Sequence, residues 1–532
     1  GVRPVPPFSG TPASVSVRGP AVPVKRLTDV GADYFSWADE GKTITWAIGS
    51  TYFRRAFDTL TFGEPAKPEP AKPEPAKPEP GTGTEPAEPK EPKEPAEPKE
   101  PLDLDEHVQS FEVVLEFPRA IPEGTIVLRG GTVITMKGDE VIRNADVIVT
   151  NNRITAVGRR GAARVPAGAH IVDVSGKFIL PGFIDTHAHW EFRTHDVLEP
   201  QNWSLAANLA YGVTAGLDVQ TSTNDYFAYQ DLVETGQTVG QRAFMTGPGV
   251  FSNNDFQSYE ATLAYLRRYK QHYRTPNIKS YMVGNRKQRQ WVVQAAKELG
   301  LMPTTEGGRD QKLDITHAID GMHGNEHTMP VFPLFKDVVE LYAQTQTAYT
   351  PTLLVQYGGP FGENYFYARE EVHDDQKLQR YYPHNVLDNI TRRRGIWARD
   401  DEYSFRLAGA SAAKIQRAGG LIGVGAHGQL QGLGYHWEMW ALSMGGLTPR
   451  EILKAATIDG ARIIGFDQDL GSLEAGKLAD LVVLDRNPLE NIRNTNTVRW
   501  VMKNGELYEA DTLTRVWPSR KELPAFWWWE KN

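Results

Sequence analysis

The sequence predicts an α/β chain built on a (β/α)-type barrel, with a small β unit on either side of it and a separate β fragment at the N-terminus. Three observations carry this prediction. Apolar strand-like runs alternate with helical stretches from residue 178 to residue 468, as a parallel barrel requires. Two segments that alternate apolar and polar residues around Gly, Asn and Asp turns flank that region, "TIVLRGGTVITMKGDEVIRNADVIVTNNRITAVG" before it and "KLADLVVLDRNPLENIRNTNTVRWVMKNGELY" after it. A run of Glu, Pro, Ala and Lys, with EPAKP recurring, separates residues 1–62 from the rest and is expected to be an extended linker that buries no core.

Composition bounds the function. With 532 residues, 40% of them hydrophobic, the chain can bury a large core. A formal charge of −8 offers no generally basic surface, so neither nucleic acid nor an anionic membrane is an expected partner. Cysteine is absent, which excludes disulfides, thiolate metal sites and cysteine nucleophiles. Any metal must therefore sit on histidine, carboxylate or lysine-derived ligands. No apolar run approaches the roughly 18 residues that span a bilayer, and "GVRPVPPFSG" lacks a charged and then apolar export signal. The chain as given is expected to be soluble, and a processed precursor stays open.

The N-terminal fragment contains "VKRLTDVGADYFSWADEGKTITWAIGSTYFRRAF", where Trp37 and Trp46 flank a turn over residues 39–42, a hairpin pattern. Its W-A-D-E-G-K turn resembles that of one blade of a TolB-type β-propeller. One blade is not a complete fold, so residues 1–62 are expected to pack on another copy, on a companion chain carrying further blades, or on the barrel as a simple appendage.

Eight barrel strands are expected at 178–189, 212–219, 242–249, 277–283, 301–307, 321–328, 348–355 and 421–428. The helix after the last is announced by "LTPREILKAAT", where Thr448, Pro449 and Glu451 form a capping box with proline at the first helical position. Barrel chemistry gathers at the C-terminal ends of the strands. Several predicted strands end in potential metal ligands: His187 and His189 on the first, Lys279 on the fourth, Glu306 on the fifth, His327 on the sixth and His427 on the eighth. Each has a plainer alternative. The histidines of an H-x-H can share a polar strand rim. Lys279 can be an ordinary ion-paired lysine, Glu306 can pair with Arg309 or cap a turn, and His427 can support a neighbouring ligand.

Taken together, "GKFILPGFIDTHAHW", the lysine of "NIKSYMV", "GNEH" and "ATIDGARIIGFDQDLGSLEAGKLADLVVLD" resemble the metal-dependent amidohydrolase superfamily, in the branch similar to imidazolonepropionases and Xaa-Pro dipeptidases. The resemblance covers residues 125–515. It implies a (β/α)8 TIM-like barrel at 179–468, flanked by a β-sandwich made from 102–178 and 469–532. It also implies one or two divalent ions, Zn²⁺ above all, with His187 and His189 on one ion, Lys279 as a carboxylated bridge and His327 on the second; imidazole and carboxylate oxygen suit such ions. Two positions depart from the family pattern. Glu306 stands where relatives carry a histidine, and His427 where they carry an aspartate. Glu306 is expected to ligate or act as a catalytic group, and His427 to ligate or to move a proton. His195, His323 and His436 are expected outside the metal shell, and Asp218 is expected to hold neighbouring groups. The stretch "HGQLQGLGYHWEMW" is similar to long exported bacterial proteins that join propeller pieces to such barrels, which implies a periplasmic or secreted location.

The implied activity is metal-dependent hydrolysis of an amide, cyclic amide or peptide C–N bond in a small molecule or short peptide. The alternatives are an esterase-like activity or a non-catalytic scaffold that binds a partner through the propeller piece.

Overall fold

A computed structural model describes residues 24–62, 106–190, 198–221, 226–355, 359–392 and 398–529. The expected linker at 63–101 and His195 lie outside these residues. The chain divides into two compact units, Gly1–Val114 and Leu115–Asn532.

The first unit is a four-stranded antiparallel sheet in the order β1 (Tyr34–Ala38), β2 (Thr43–Ile48), β3 (Thr51–Ala56), β4 (Val108–Glu112). The expected turn forms at Asp39–Gly41, where the Asp39 carboxylate accepts from Thr43 Oγ1 and from Arg54 Nη2 at 2.7 Å. Ile44, Trp46, Ile48 and Phe53 make its core, with the Trp46 and Phe53 rings stacked at 5.3 Å. The hairpin expected within 1–62 thus gains a strand from residues the sequence assigns to the sandwich. Register explains it: Thr51 pairs with Glu112 and Arg55 with Val108, so β4 covers the edge that β3 would otherwise leave open.

In the second unit, β5 (Thr125–Ile134), β6 (Val141–Thr150), β7 (Arg153–Arg159), β8 (His170–Asp173) and β9 (Phe178–Pro181) precede the central strands. The central strands are β10 (Phe183–Ala188), β11 (Val213–Asp218), β12 (Arg242–Met245), β13 (Val250–Phe251), β14 (Asn277–Tyr281), β15 (Met302–Glu306), β16 (Gly324–Glu326) and β17 (Ala348–Thr350). The chain ends with β18 (Leu481–Leu484), β19 (Val498–Lys503), β20 (Glu506–Glu509) and β21 (Arg515–Trp517).

Both ends of this unit build one nine-stranded sheet, ordered β21-β20-β19-β18-β9-β5-β6-β7 with β8 also on β5. It bends within β5, which pairs with β8 up to Arg129 and with β9 from Thr132. At the bend Gly130 takes φ +84, and a Cβ on Gly131 would press into Ile179 and Val174. Folded this way, Leu128 and Val147 share a core with Leu481, Val483, Met502 and Trp517. The expected sandwich is a single sheet folded on itself.

The central strands form two parallel arcs, β10-β11-β12 and β13-β14-β15-β16-β17. The expected first strand at 178–189 breaks at Gly182, where a Cβ would lie 2.0 Å from Thr214 Oγ1; the break sends β9 to the outer sheet and β10 to the arc. The expected eighth strand joins the arcs along one seam. Gly423 N–H donates to Tyr349 O at 3.0 Å on one side, and Thr186 N–H donates to Val424 O at 2.9 Å on the other. Among the described residues no ladder joins β12 to β13, so the strand pairs do not by themselves draw a closed ring. The helix at Pro449–Lys454 carries the expected capping box of Thr448 and Glu451 with proline in the first turn. No helix among the described residues is long and apolar enough to cross a membrane.

Candidate metal centre

His187 occupies the C-terminal end of β10 and is 1% exposed, whereas His189, two residues on, has a side chain 36% exposed. Lys279 lies inside β14, and Glu306 ends β15. His327 follows β16, and His427 closes the segment that stitches the arcs. Both of these histidines have left-handed backbones, φ +66 and +62. That conformation costs a non-glycine residue about 1 kcal/mol or more and is concentrated where a site requires it. Six predicted residues from five segments therefore meet at one end of the parallel arcs.

The ring centroids of His187 lie 4.8 Å from His327 and 4.9 Å from His427, and those of His327 and His427 lie 5.0 Å apart. One nitrogen from each of these three rings falls within 4.8 Å of the others, a grouping able to hold a metal ion. His189 is close by, 4.6 Å from the His427 ring, but its Nδ1 leans toward Asp218 Oδ1 at 3.4 Å and it falls outside the group of three. Asp218 meanwhile accepts the N–H groups of Trp190 and Gln220, the supporting role expected of it.

The charged residues form a second cluster against the histidines. Lys279 Nζ, 1% exposed, donates to Glu326 Oε2 at 2.7 Å and lies 3.3 Å from Glu306 Oε1. Glu306 Oε2 is 2.8 Å from His327 Nε2, while His327 Nδ1 shares a 2.6 Å hydrogen bond with the Thr352 hydroxyl. Glu326 also accepts from Thr304 Oγ1 at 2.5 Å and approaches His187 Nδ1 to 2.7 Å. The last approach is out of line with the ring N–H, so neither nitrogen of His187 forms a hydrogen bond although the ring is buried.

Electrostatics keep the histidines ready to ligate. Burial, reinforced by the neighbouring imidazoles, holds His187 and His427 well below the ordinary histidine value, so both rings are neutral. Burial works against the Glu306 carboxylate, but Lys279 and the hydrogen bond from His327 outweigh it and keep Glu306 well below the usual carboxylate range. Burial likewise opposes the Lys279 ammonium, and Glu326 and Glu306 overcome it. Asp185 is pushed up to about 7 by burial, against the N–H groups of His187 and Ala426 that its carboxyl accepts.

Buried His187, neither of whose nitrogens forms a hydrogen bond, and His427, whose Nδ1 forms none, converge with His327, which bonds Thr352 and Glu306; imidazoles so grouped suit a divalent ion of the zinc type, so these residues fit the group the resemblance implies. Two contributors were not singled out from the sequence. Asp185 lies within "GFIDTHAHW" and clamps β10 to the seam. Glu326 lies within "GNEH", beside the chosen His327. Adjacent strand residues normally face opposite sides, and only the left-handed turn at His327 brings both inward. His323 sits away from the centre with Nε2 on the Ile463 carbonyl, and His436 is buried between Thr495 and the Tyr211 carbonyl, both outside the metal cluster as expected.

Comparison with known proteins gives matches both in sequence and in fold. Residues 427–508 match the description "Amidohydrolase family". An S-triazine hydrolase of Gordonia rubripertincta is 37% identical over 93 residues, 15% of this chain and 20% of that protein. An imidazolonepropionase of Shouchella clausii is 44% identical over 64 residues, 12% of this chain and 14% of that protein. These alignments span a fifth or less of either relative's length. A Xaa-Pro dipeptidase crystal structure with methionine in its active site superposes with a TM-score of 0.54 at 19% identity, covering 73% of this chain and all of the other, a likeness of fold. Residues 427–508 thus match an amidohydrolase family model, and the fold of the larger unit is like that of the dipeptidase structure.

Proposed function

We propose that this chain is a metal-dependent hydrolase that cleaves the C–N bond of a small amide, cyclic amide or short peptide, with a dipeptide as the leading candidate. The observation that carries the proposal is the convergence of His187, His327 and His427 at the C-terminal ends of parallel strands. In this reading the two arcs and their seam are one (β/α)8 barrel, and its strand ends are where such barrels keep their chemistry. The names of the relatives, a triazine hydrolase, an imidazolonepropionase and a dipeptidase, support a C–N bond as the target.

A bound divalent ion, zinc by preference, supplies Lewis acidity and makes water a competent nucleophile near neutral pH. The protein supplies the rest. Thr352 and Glu306 fix the orientation of His327. Asp185 binds the backbones of His187 and Ala426, holding two of the three ligand-bearing segments in register. Glu306, 12% exposed and held ionised by Lys279 and His327, is the carboxylate placed to orient an attacking water. The position of His427 within the three-histidine group favours a ligand over a proton carrier.

Elemental analysis of the purified protein, followed by a screen of dipeptides and N-acyl amino acids, tests this. Stoichiometric transition metal with chelator-sensitive hydrolysis is expected. A metal-free protein, or metal without C–N cleavage across the screen, would refute it and favour a binding scaffold.

A further inference from the structure

We infer that the substrate lays an aromatic or bulky apolar group on a shelf formed by Phe251, Tyr281 and Met282 at the strand ends beside the candidate centre. The inference rests on the hydrolase reading above and deepens it, from any small amide to one that carries such a group next to the scissile bond.

Alternation along β14 puts Tyr281 on the same side of the strand as Lys279, one step nearer its C-terminal end. The charges of Glu306 and Lys279 both act on its phenol, so the ring stands near the charged side of the centre. Register pairs Phe251 with Tyr281, and the two rings meet edge to face at 6.0 Å. Two residues past Glu306 stands Gly308, with φ +58. A Cβ there would lie 3.3 Å from Met282 Sδ and 3.5 Å from the Tyr281 hydroxyl, so the thioether and the phenol tip come together over a residue without a side chain. Met282 itself has a left-handed backbone, φ +48, and is 46% exposed.

Single exposed apolar side chains need no explanation. These three adjoin one another, and they do so at the strand ends where chemistry gathers. Two rings and a polarizable sulfur gain from contact with another ring or a branched aliphatic group. A charged substituent placed on them would give up water and find no opposite charge among the three. The shelf thus selects by what it lacks as well as by what it offers.

The test measures kcat/KM for the full zinc-loaded chain on matched probes: phenylalanyl-alanine against glutamyl-alanine, alanyl-phenylalanine against alanyl-glutamate, and N-acetyl-phenylalanine against N-acetyl-glutamate. In the pair that is cleaved best, the aromatic probe is expected to lead by about 10-fold or more, the scale on which apolar contacts discriminate. Met282→Lys, at an exposed position, should shrink that lead by favouring the glutamate probe, and Tyr281→Ser should shrink it by weakening the aromatic one, each chiefly through KM. A wild-type ratio near one or in favour of glutamate, or a lead that Met282→Lys leaves unchanged, overturns the inference and leaves the hydrolase reading standing. No cleavage of any probe overturns both. The wild type and Met282→Lys decide the matter even if Tyr281→Ser does not fold.

Discussion

The backbone N–H of His427 donates to the carbonyl of His187 at 2.8 Å. The last central segment thus hangs its histidine directly on the strand that bears the first, though 240 positions of sequence separate them. Two proposed ligands joined through the main chain make a stiff pair, and disturbing either side should be felt at the other.

His427→Ala should therefore remove metal and activity together. Losing one of three protein ligands is expected to lower zinc occupancy after dialysis and to reduce turnover by more than about 10²-fold, beyond the 10–100-fold typical of losing an outer-shell partner. Both are read on one preparation. Full zinc with lost turnover would instead make His427 a proton carrier.

Gly425→Ala tests the same seam without touching a ligand side chain. A Cβ there would lie 2.5 Å from Thr350 Cγ2 and 2.6 Å from His187 Cβ. Overpacking of this kind costs about 1–3 kcal/mol, and the strain falls on His187. The variant should melt at a lower temperature and bind zinc more weakly. Wild-type affinity in a destabilised protein would show that the seam yields away from the site.

Arg242, at the start of β12, bonds Asp480 through Nε at 2.7 Å and Nη2 at 3.1 Å, Glu234 at 2.8 Å and Asn504 at 3.1 Å, with Arg242 and Asp480 buried and Glu234 partly so. It ties the first arc to the turns of the outer sheet. Arg242→Ala leaves two acids without their partner and should cost about 3–5 kcal/mol, seen as a lower denaturant midpoint with an unchanged slope. A loss below about 1 kcal/mol, the scale of exposed pairs, would mean that the network relaxes into water.

Acid should destabilise the fold through His436. Burial, partly opposed by the Tyr211 carbonyl, pushes this imidazole down to about 3. The unfolded chain protonates it near 6.5, so between these values the unfolded state binds the extra proton. Stability from this group is therefore complete above about 6.5 and is lost as pH falls toward 3, by at most about 1.4 kcal/mol per pH unit. Denaturant titrations from pH 7 to 4.5 should give a shallower fall for His436→Gln than for wild type. Parallel curves would show that His436 does not contribute.

The sequence by itself determined what depends on neighbours along the chain. The helix start at Thr448 is legible because the Thr448–Glu451 cap is a local bond pattern. The alternation of strands and helices, the Asp39–Gly41 turn, and the presence of H-x-H at a strand end are readable for the same reason: each depends on backbone preferences or on a period of a few residues.

The tertiary structure decided what depends on distance in space. Nothing local tells that Val108–Glu112 crosses the linker to pair with Thr51–Ala56, because strand pairing is satisfied by whichever edge is open. Nor does spacing tell that His427 rather than His189 completes the group of three, or that Glu326 turns inward beside His327 to meet Lys279. Those outcomes follow from the seam hydrogen bonds and from two left-handed residues at strand ends. The switch of backbone there from extended to left-handed chooses which side chains face one another, and only the folded chain sets that switch.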